Sequence, residues 1–416
     1  MAVVEDGQRP GSVGAAGPSG RGAFRPDVEG LRAVALGMVL LFQAAAPVFV
    51  AGNIGVDVFF VISGFLITGL LVREAERTGG VSLRDFYARR ARRILPSAAA
   101  VLLLTLLGVA VLLPERLAAV ARDAVAAGLQ VANWWLLSFD VHSLHPEVAH
   151  SPLKHYWTLA VEEQFYLLWP LLVLLVARRA GRTGRTGRHA LRPGGPARLR
   201  RDLALALAVL SALSLAASAV LTPQASLFGY LSTVTRAWQF GVGGLLALAA
   251  PLIAARCADG RGAALLRLAG WAGALVLAVS AVFATRLPYP GWIALVPTLA
   301  TAAVIASGTT GVLRGSVGQL LSLPLVRAAG RLSYVWYLWH VPAVVFAAEV
   351  LGTTHWAAML AAELAAVVPA LLTARLVEGP LRFSPLVAAS ARRGLVLGAA
   401  TTGVTLTAGL ALAAVA

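Results

Sequence analysis

Cysteine is nearly absent from this 416-residue chain. Cys257 stands alone, which excludes an intramolecular disulfide and any cysteine-based metal cluster. Lysine is as rare: Lys154 is the single one, and every other basic residue is arginine. Acids number only 19, and charged residues of both signs make up 13% of the chain. So little charge excludes a disordered polypeptide and a soluble enzyme alike. The N-terminus lacks the apolar stretch of a secretory signal. Residues 1–26 are polar and rich in Gly, Pro and Arg, and read as a disordered cytoplasmic tail. Acidic loops of the kind that hold metals or sugar nucleotides are also missing, which argues against a glycosyltransferase. No metal site is expected, since His142, His145 and His150 are irregularly spaced.

What remains is apolar. Hydrophobic residues make up 58% of the chain, and mean hydropathy is +0.78. This is the composition of an integral membrane protein. Runs of spanning length fall near 31–50, 54–72, 97–114, 158–177, 203–221, 237–255, 266–284, 292–308, 333–350, 356–376 and 394–414. The expectation is an all-α polytopic fold of about eleven helices. Residues 27–385 would form a ten-helix membrane domain, and residues 386–416 one additional C-terminal span.

The arginines orient it. Segment 73–93 carries Arg73, Arg77, Arg84, Arg89, Arg90, Arg92 and Arg93, and segment 178–201 carries nine arginines and no acid. With the N-terminus cytoplasmic, these and the later clusters all fall on the cytoplasmic side, and the C-terminus lies outside. The net charge of +16 is thus topogenic and lipid-directed, with no nucleic-acid partner implied. Residues 116–137 would break this pattern as a span, so they read as an interfacial or re-entrant helix on the outer side. Segment 178–201 reads as a mobile loop. The arginine-for-lysine bias points to a high-GC bacterial genome and hence a plasma membrane.

Ionisable groups within spans are functional candidates. Arg32 and Gln43, eleven residues apart, share one face of the first span. They form either an anchor arginine plus a helix-bridging glutamine or a functional line. Arg90 and Arg93, at i,i+3, present two guanidinium forks to one side, as do Arg89 and Arg93 at i,i+4. That suits phosphate oxygens or lipid headgroups. Ser151-Pro152 signals a helix start, which would put His155 and Glu162 on one face with Glu163 one step round. His340 sits inside an aromatic-rich span. Glu378 and Arg382 have the spacing of a helix-end salt bridge. Arg236 faces a choice of buried partner between Asp57 and Glu162.

The motifs GLRAVAL, GVDVFFVISGFLIT, FYARRARRILP, SPLKHYWTLAVEEQFYLLWP, TRAWQFGVGGLLAL, YPGWIALVPTL and GRLSYVWYLWHVP followed by VEGPLR occur in that order. In them the chain resembles the membrane acyltransferase-3 family of bacterial surface-polysaccharide O-acetylases, from about Arg25 to Arg382. The resemblance implies transfer of an acyl group, usually acetyl, from cytoplasmic acyl-coenzyme A to a hydroxyl of an extracytoplasmic carbohydrate or lipid-linked acceptor. It implies coenzyme binding by Arg90 and Arg93, with Arg32 beside them, and a span-one histidine at position 43. Here the chain departs and carries Gln43, which cannot serve as a general base. It also carries Gln239 where the family usually has glutamate. Two readings follow. Either His155 or His340 takes over as base, oriented by Glu162 or Glu163, or the chain is a catalytically degenerate carrier or accessory protein. Many family members continue from an eleventh span into an extracytoplasmic esterase-like domain, which is not expected here.

Overall fold

A backbone that crosses hydrocarbon must satisfy its own N–H and C=O groups, and a helix does so within one segment. The computed structural model of the protein describes residues 24–47, 52–139, 151–180, 194–283 and 289–415. Most of the expected tail, the three loop histidines and residues 181–193 of the arginine-rich segment lie outside the described residues. Every regular element among those described is helical. In chain order the principal helices are α1 Pro26–Gln43, α2 Gly55–Thr78, α3 Leu83–Leu112, α4 Leu117–Gly128, α5 Ala132–Ser138, α6 Tyr156–Ala180 and α7 Gly195–Leu221. They continue with α8 Thr233–Arg256, α9 Gly260–Phe283, α10 Leu295–Ser307, α11 Pro324–Leu351, α12 Trp356–Phe383 and α13 Ala391–Val415.

Nine helices among the described residues are long and apolar enough to cross a membrane. The two remaining apolar runs form α1, of 18 residues with Asp27, Glu29 and Arg32 near its start, and α10, of 13 residues. All eleven expected runs are therefore helical, and the protein is an all-α multi-pass membrane protein.

The arginine segment before the third span is helical, as the i,i+3 reading of Arg90 and Arg93 requires. Ser82 caps a helix at Asp85 N, and α3 runs unbroken through Pro96 for 30 residues, roughly 45 Å. The arginines 84–93 thus ride on rigid helix. Two local outcomes differ from expectation. Residues 198–201 are helical too, in the first turns of α7, where Arg200 donates to both oxygens of Glu76. Finally, 116–137 is two helices, with a turn at 129–131 in which Gln130 takes a left-handed φ of 59°. Neither is long enough to span. Trp135 donates to Asp123 Oδ1 and joins the two helices, and Trp134 donates to Gln164 Oε1 and ties them to α6.

Burial separates the helices. The apolar window of α2 is 72% buried inside the protein, and that of α13 only 17%. Small residues explain the centre. A Cβ at Gly64 would lie 2.0 Å from Phe240 O, and one at Gly243 would lie 2.1 Å from Val61 O. Only glycine lets α2 and α8 approach this closely. The outer helices instead present leucines outward, among them Leu205, Leu275 and Leu410. In hydrocarbon these are lipid contacts, not defects.

Candidate active site

Five helices converge on one narrow cavity of about 100 Å³. Arg32 reaches it from α1, Ser63 from α2, Arg90 and Arg93 from α3, Glu162, Glu163 and Tyr166 from α6, and Ser333, Tyr334 and Tyr337 from α11. The i,i+3 spacing brings Arg90 and Arg93 to the cavity together. Arg89 turns away to the surface, where it pairs loosely with Glu74 at 3.5 Å.

The contacts are specific. The Arg90 guanidinium lies 3.5 Å over the Tyr166 ring and 3.7 Å from Glu163 Oε1. Ser63 and Tyr166 both donate to Glu162 Oε1. Arg32 Nε donates to Ser333 Oγ at 3.2 Å. Arg93 makes no hydrogen bond or ion pair with any described side chain, although it lines the cavity wall. Three guanidinium groups thus face two carboxylates, one of which already accepts two hydroxyl donors.

A wider vestibule of about 970 Å³ adjoins the cavity, and Arg32, Leu66, Ile67 and Arg93 line both. Arg25, Arg73, Arg200, Arg331 and Arg382 add to its wall, against Glu29 as its acid. Glu29 is engaged by Arg327 at 3.1 Å and Arg331 at 3.3 Å. Arg382 bonds Glu378 at 2.6 Å, the helix-end bridge that the spacing implied.

The histidines sit behind the opposite end. Tyr337, in the cavity wall, shares a 2.7 Å hydrogen bond with Thr158. The His155 and His340 rings lie 4.9 Å apart beside it. His155 immediately precedes α6, which starts at Tyr156 after the turn that Ser151-Pro152 opens, and it stays outside the cavity lining that includes Glu162. The histidines are not oriented by Glu162 or Glu163 either: Nε2 of His155 meets Leu338 O at 3.1 Å, and Nδ1 of His340 meets Tyr337 O. Gln43 closes α1, half-buried and outside the cavity lining.

The second buried charge site resolves the Arg236 question in favour of Asp57. Arg236 Nη1 donates to Asp57 Oδ1 at 2.8 Å, both side chains are fully buried, and Nε donates to Tyr230 O. The rings of Phe60, Trp157, Tyr230 and Tyr289 surround the guanidinium at 4.9–6.0 Å. Gln239 is buried alongside, with neither amide atom hydrogen-bonded to a described residue.

Sequence reasoning passed over Tyr166, although it stands at i+4 from Glu162, and Glu363, a fully buried acid within an apolar run. Both carboxylate oxygens of Glu363 lack a hydrogen-bond partner among the described residues. No group of three His, Cys, Asp or Glu able to hold a metal occurs among those residues.

The fold and cavity define a multi-pass helical membrane protein with an arginine-lined internal site at the end of a basic vestibule. Residues 25–376 match a family profile described as an acyltransferase domain, and the chain belongs to that family. It is 30% identical to the peptidoglycan O-acetyltransferase OatA of Listeria monocytogenes, over 86% of this chain and 56% of that protein. It is 31% identical to the O-acetyltransferase OatA of Staphylococcus aureus, over 78% of this chain and 51% of that protein. The chain thus spans about half the length of the curated relatives it matches. No solved structure matches it.

Proposed function

We propose that the protein is an O-acyltransferase that takes an acyl group, acetyl in the first instance, from cytoplasmic acyl-coenzyme A. The acceptor is a hydroxyl of an extracytoplasmic glycan or lipid-linked carbohydrate, and a cell-wall glycan is the first to try. The observation that carries this reading is the guanidinium surplus of the cavity: Arg32, Arg90 and Arg93 against Glu162 and Glu163, with Arg93 unpaired. Fixed, unneutralised arginines suit phosphate oxygens, and they are costly inside a membrane without an anionic ligand. The basic vestibule would take the nucleotide phosphates of the coenzyme, at the edge where Arg32 and Arg93 line both spaces, and the narrow cavity its acyl-bearing arm beside Arg90. Arg90, Arg93 and Arg32 would hold the donor, and Glu162 and Glu163 would manage charge and protons at its reacting end. His155 and His340 adjoin the cavity through Tyr337 and Thr158, so they would serve the acceptor side. The relatives named O-acetyltransferases support the reaction class. In this reading the arginine-rich end faces the cytoplasm of a bacterial plasma membrane, with lipid around α7, α9 and α13.

The test uses sealed membrane vesicles containing the full chain, with labelled acetyl-CoA and a peptidoglycan or lipid-linked carbohydrate acceptor. Arg90→Ala and Arg93→Ala should each remove ester formation, and unchanged transfer in both would overturn the reading. Gln43→His belongs in the same assay. No change is expected if the base lies among the cavity residues. A sharp rise from an inactive native chain favours the degenerate carrier or accessory reading.

A further inference from the structure

Six hydroxyl side chains line the cavity: those of Ser63, Thr158, Tyr166, Ser333, Tyr334 and Tyr337. Four are bonded to groups that cannot take a proton from them. Ser333 accepts from Arg32, Tyr334 donates to Ile94 O, and Thr158 and Tyr337 bond each other and His155 O. Ser63 and Tyr166 alone donate to a carboxylate, and it is the same oxygen of Glu162.

The two differ in what else holds them. Tyr166 lies under the Arg90 guanidinium at 3.5 Å, so it is clamped between a cation and the carboxylate it orients. Ser63 has no cation over it, and among the described residues its hydroxyl lies against the Glu162 carboxylate and the Tyr166 hydroxyl. Its backbone is held rigidly, because the next residue, Gly64, abuts Phe240 O of α8. A fixed hydroxyl aimed at a carboxylate base, in a cavity whose wall also carries Arg90, has the parts of an activated nucleophile with a cationic site for an oxyanion.

Cavity size points the same way. About 100 Å³ is well below the roughly 300–1,000 Å³ of sites that hold a whole small ligand. A relay lets the donor thioester and the acceptor hydroxyl reach this narrow space in turn, with the acyl group held on the protein between them.

We propose that Ser63 is the acyl-accepting nucleophile of a two-step relay, which rests on the acyl-coenzyme A reading above. In the first step Ser63 Oγ attacks the thioester carbonyl while its proton passes to Glu162. The C–S bond breaks, the proton moves from Glu162 to the departing sulfur, and coenzyme A leaves as the free thiol. Ser63 then holds an oxygen ester. In the second step the acceptor hydroxyl attacks that ester, again giving its proton to Glu162. The bond from the acyl carbon to Ser63 Oγ breaks, and Glu162 returns the proton to Ser63. No oxidant, metal or further reactant is needed.

The experiment incubates the purified full chain with labelled acetyl-CoA without acceptor, quenches in acid, and locates the label by peptide mass spectrometry. Free coenzyme A and, with acceptor present, acetylated product are measured in parallel. The expected result is stoichiometric coenzyme A release and label on the peptide containing Ser63. Ser63→Ala should lose the label and about 10²–10⁴-fold of turnover, yet still protect the Arg90–Arg93 segment when coenzyme A binds. Ser63→Cys should regain label at position 63, as a hydroxylamine-labile thioester. That arm keeps the test decisive if the alanine variant folds poorly. Label on Tyr166, or product formed with no labelled chain, would overturn the relay and leave the acyltransferase reading standing. Absence of any coenzyme A release would overturn both.

Discussion

Two arginine sites are buried in this membrane protein, and they are built oppositely. At Arg236 one guanidinium meets one carboxylate, Asp57, inside a ring of four aromatic side chains, with both partners wholly buried. At the cavity three guanidinium groups share two carboxylates, and Arg93 has neither hydrogen bond nor ion pair with a described side chain. The first site is charge-balanced and closed, and the second is cationic and open to a vestibule. Apolar surroundings make unpaired charge costly, so balance marks structure and imbalance marks a place for a ligand. Breaking each site should therefore register in a different measurement.

The largest effect is expected at the closed site. Asp57→Ala leaves Arg236 as an uncompensated buried charge, with only Tyr230 O as hydrogen-bond acceptor. Loss of one partner of such a pair costs about 3–5 kcal/mol. Thermal unfolding in detergent should show a markedly lower Tm for this variant, together with poor yield. A Tm near that of the native chain would mean that the pair is not structural.

At the open site the order reverses. Arg93→Ala removes a cation repelled by Arg32 and Arg90, so Tm should stay level or rise slightly. Coenzyme A affinity, read by calorimetry or by protection from proteolysis, should fall by about 10–100-fold, the loss of one charge-assisted hydrogen bond to phosphate of about 1.5–3 kcal/mol. A variant that unfolds early but binds normally would erase the distinction between the two sites.

The contrast also shows what was legible in the residues. Spans were, because hydropathy over about 20 residues is a local property, and all eleven apolar runs became helices. The facing of Arg90 and Arg93 was legible too, since i,i+3 geometry belongs to one helix. Partner choice was not. Arg236 selected Asp57 over Glu162 because glycines let α2 and α8 meet along Gly64 and Gly243, a fact of packing between segments some 180 residues apart. Ser63 and Tyr166 gained their meaning only when α2 and α6 were brought together on Glu162. The Ser151-Pro152 signal lay a few residues ahead of the helix it announced, and opened a turn that ends at His155.

A half-buried acid sharpens the comparison from outside the spans. Asp123 on α4 accepts from Trp135 Nε1 at 2.7 Å and Ser151 Oγ at 2.6 Å, joining the helical pair α4–α5 to the turn that carries His155. Among the described residues it has no arginine partner at contact distance. Burial pushes its carboxyl above the ordinary range, and the Ser151 and Trp135 hydrogen bonds only partly offset this. An acid whose folded-state pKa is raised binds its proton more tightly folded than unfolded. Its contribution to stability is therefore greatest below the ordinary carboxylate pKa and is lost as pH rises through the raised one. Asp57 is bonded directly to Arg236, whereas Asp123 feels a cation only at longer range, from Arg122. Asp123→Asn should flatten the acid-side slope of Tm against pH, with a shift smaller than at either arginine site. An unchanged slope would mean that Asp123 ionises as freely as an exposed carboxylate, and that two hydroxyl- and indole-type donors replace a guanidinium at no cost.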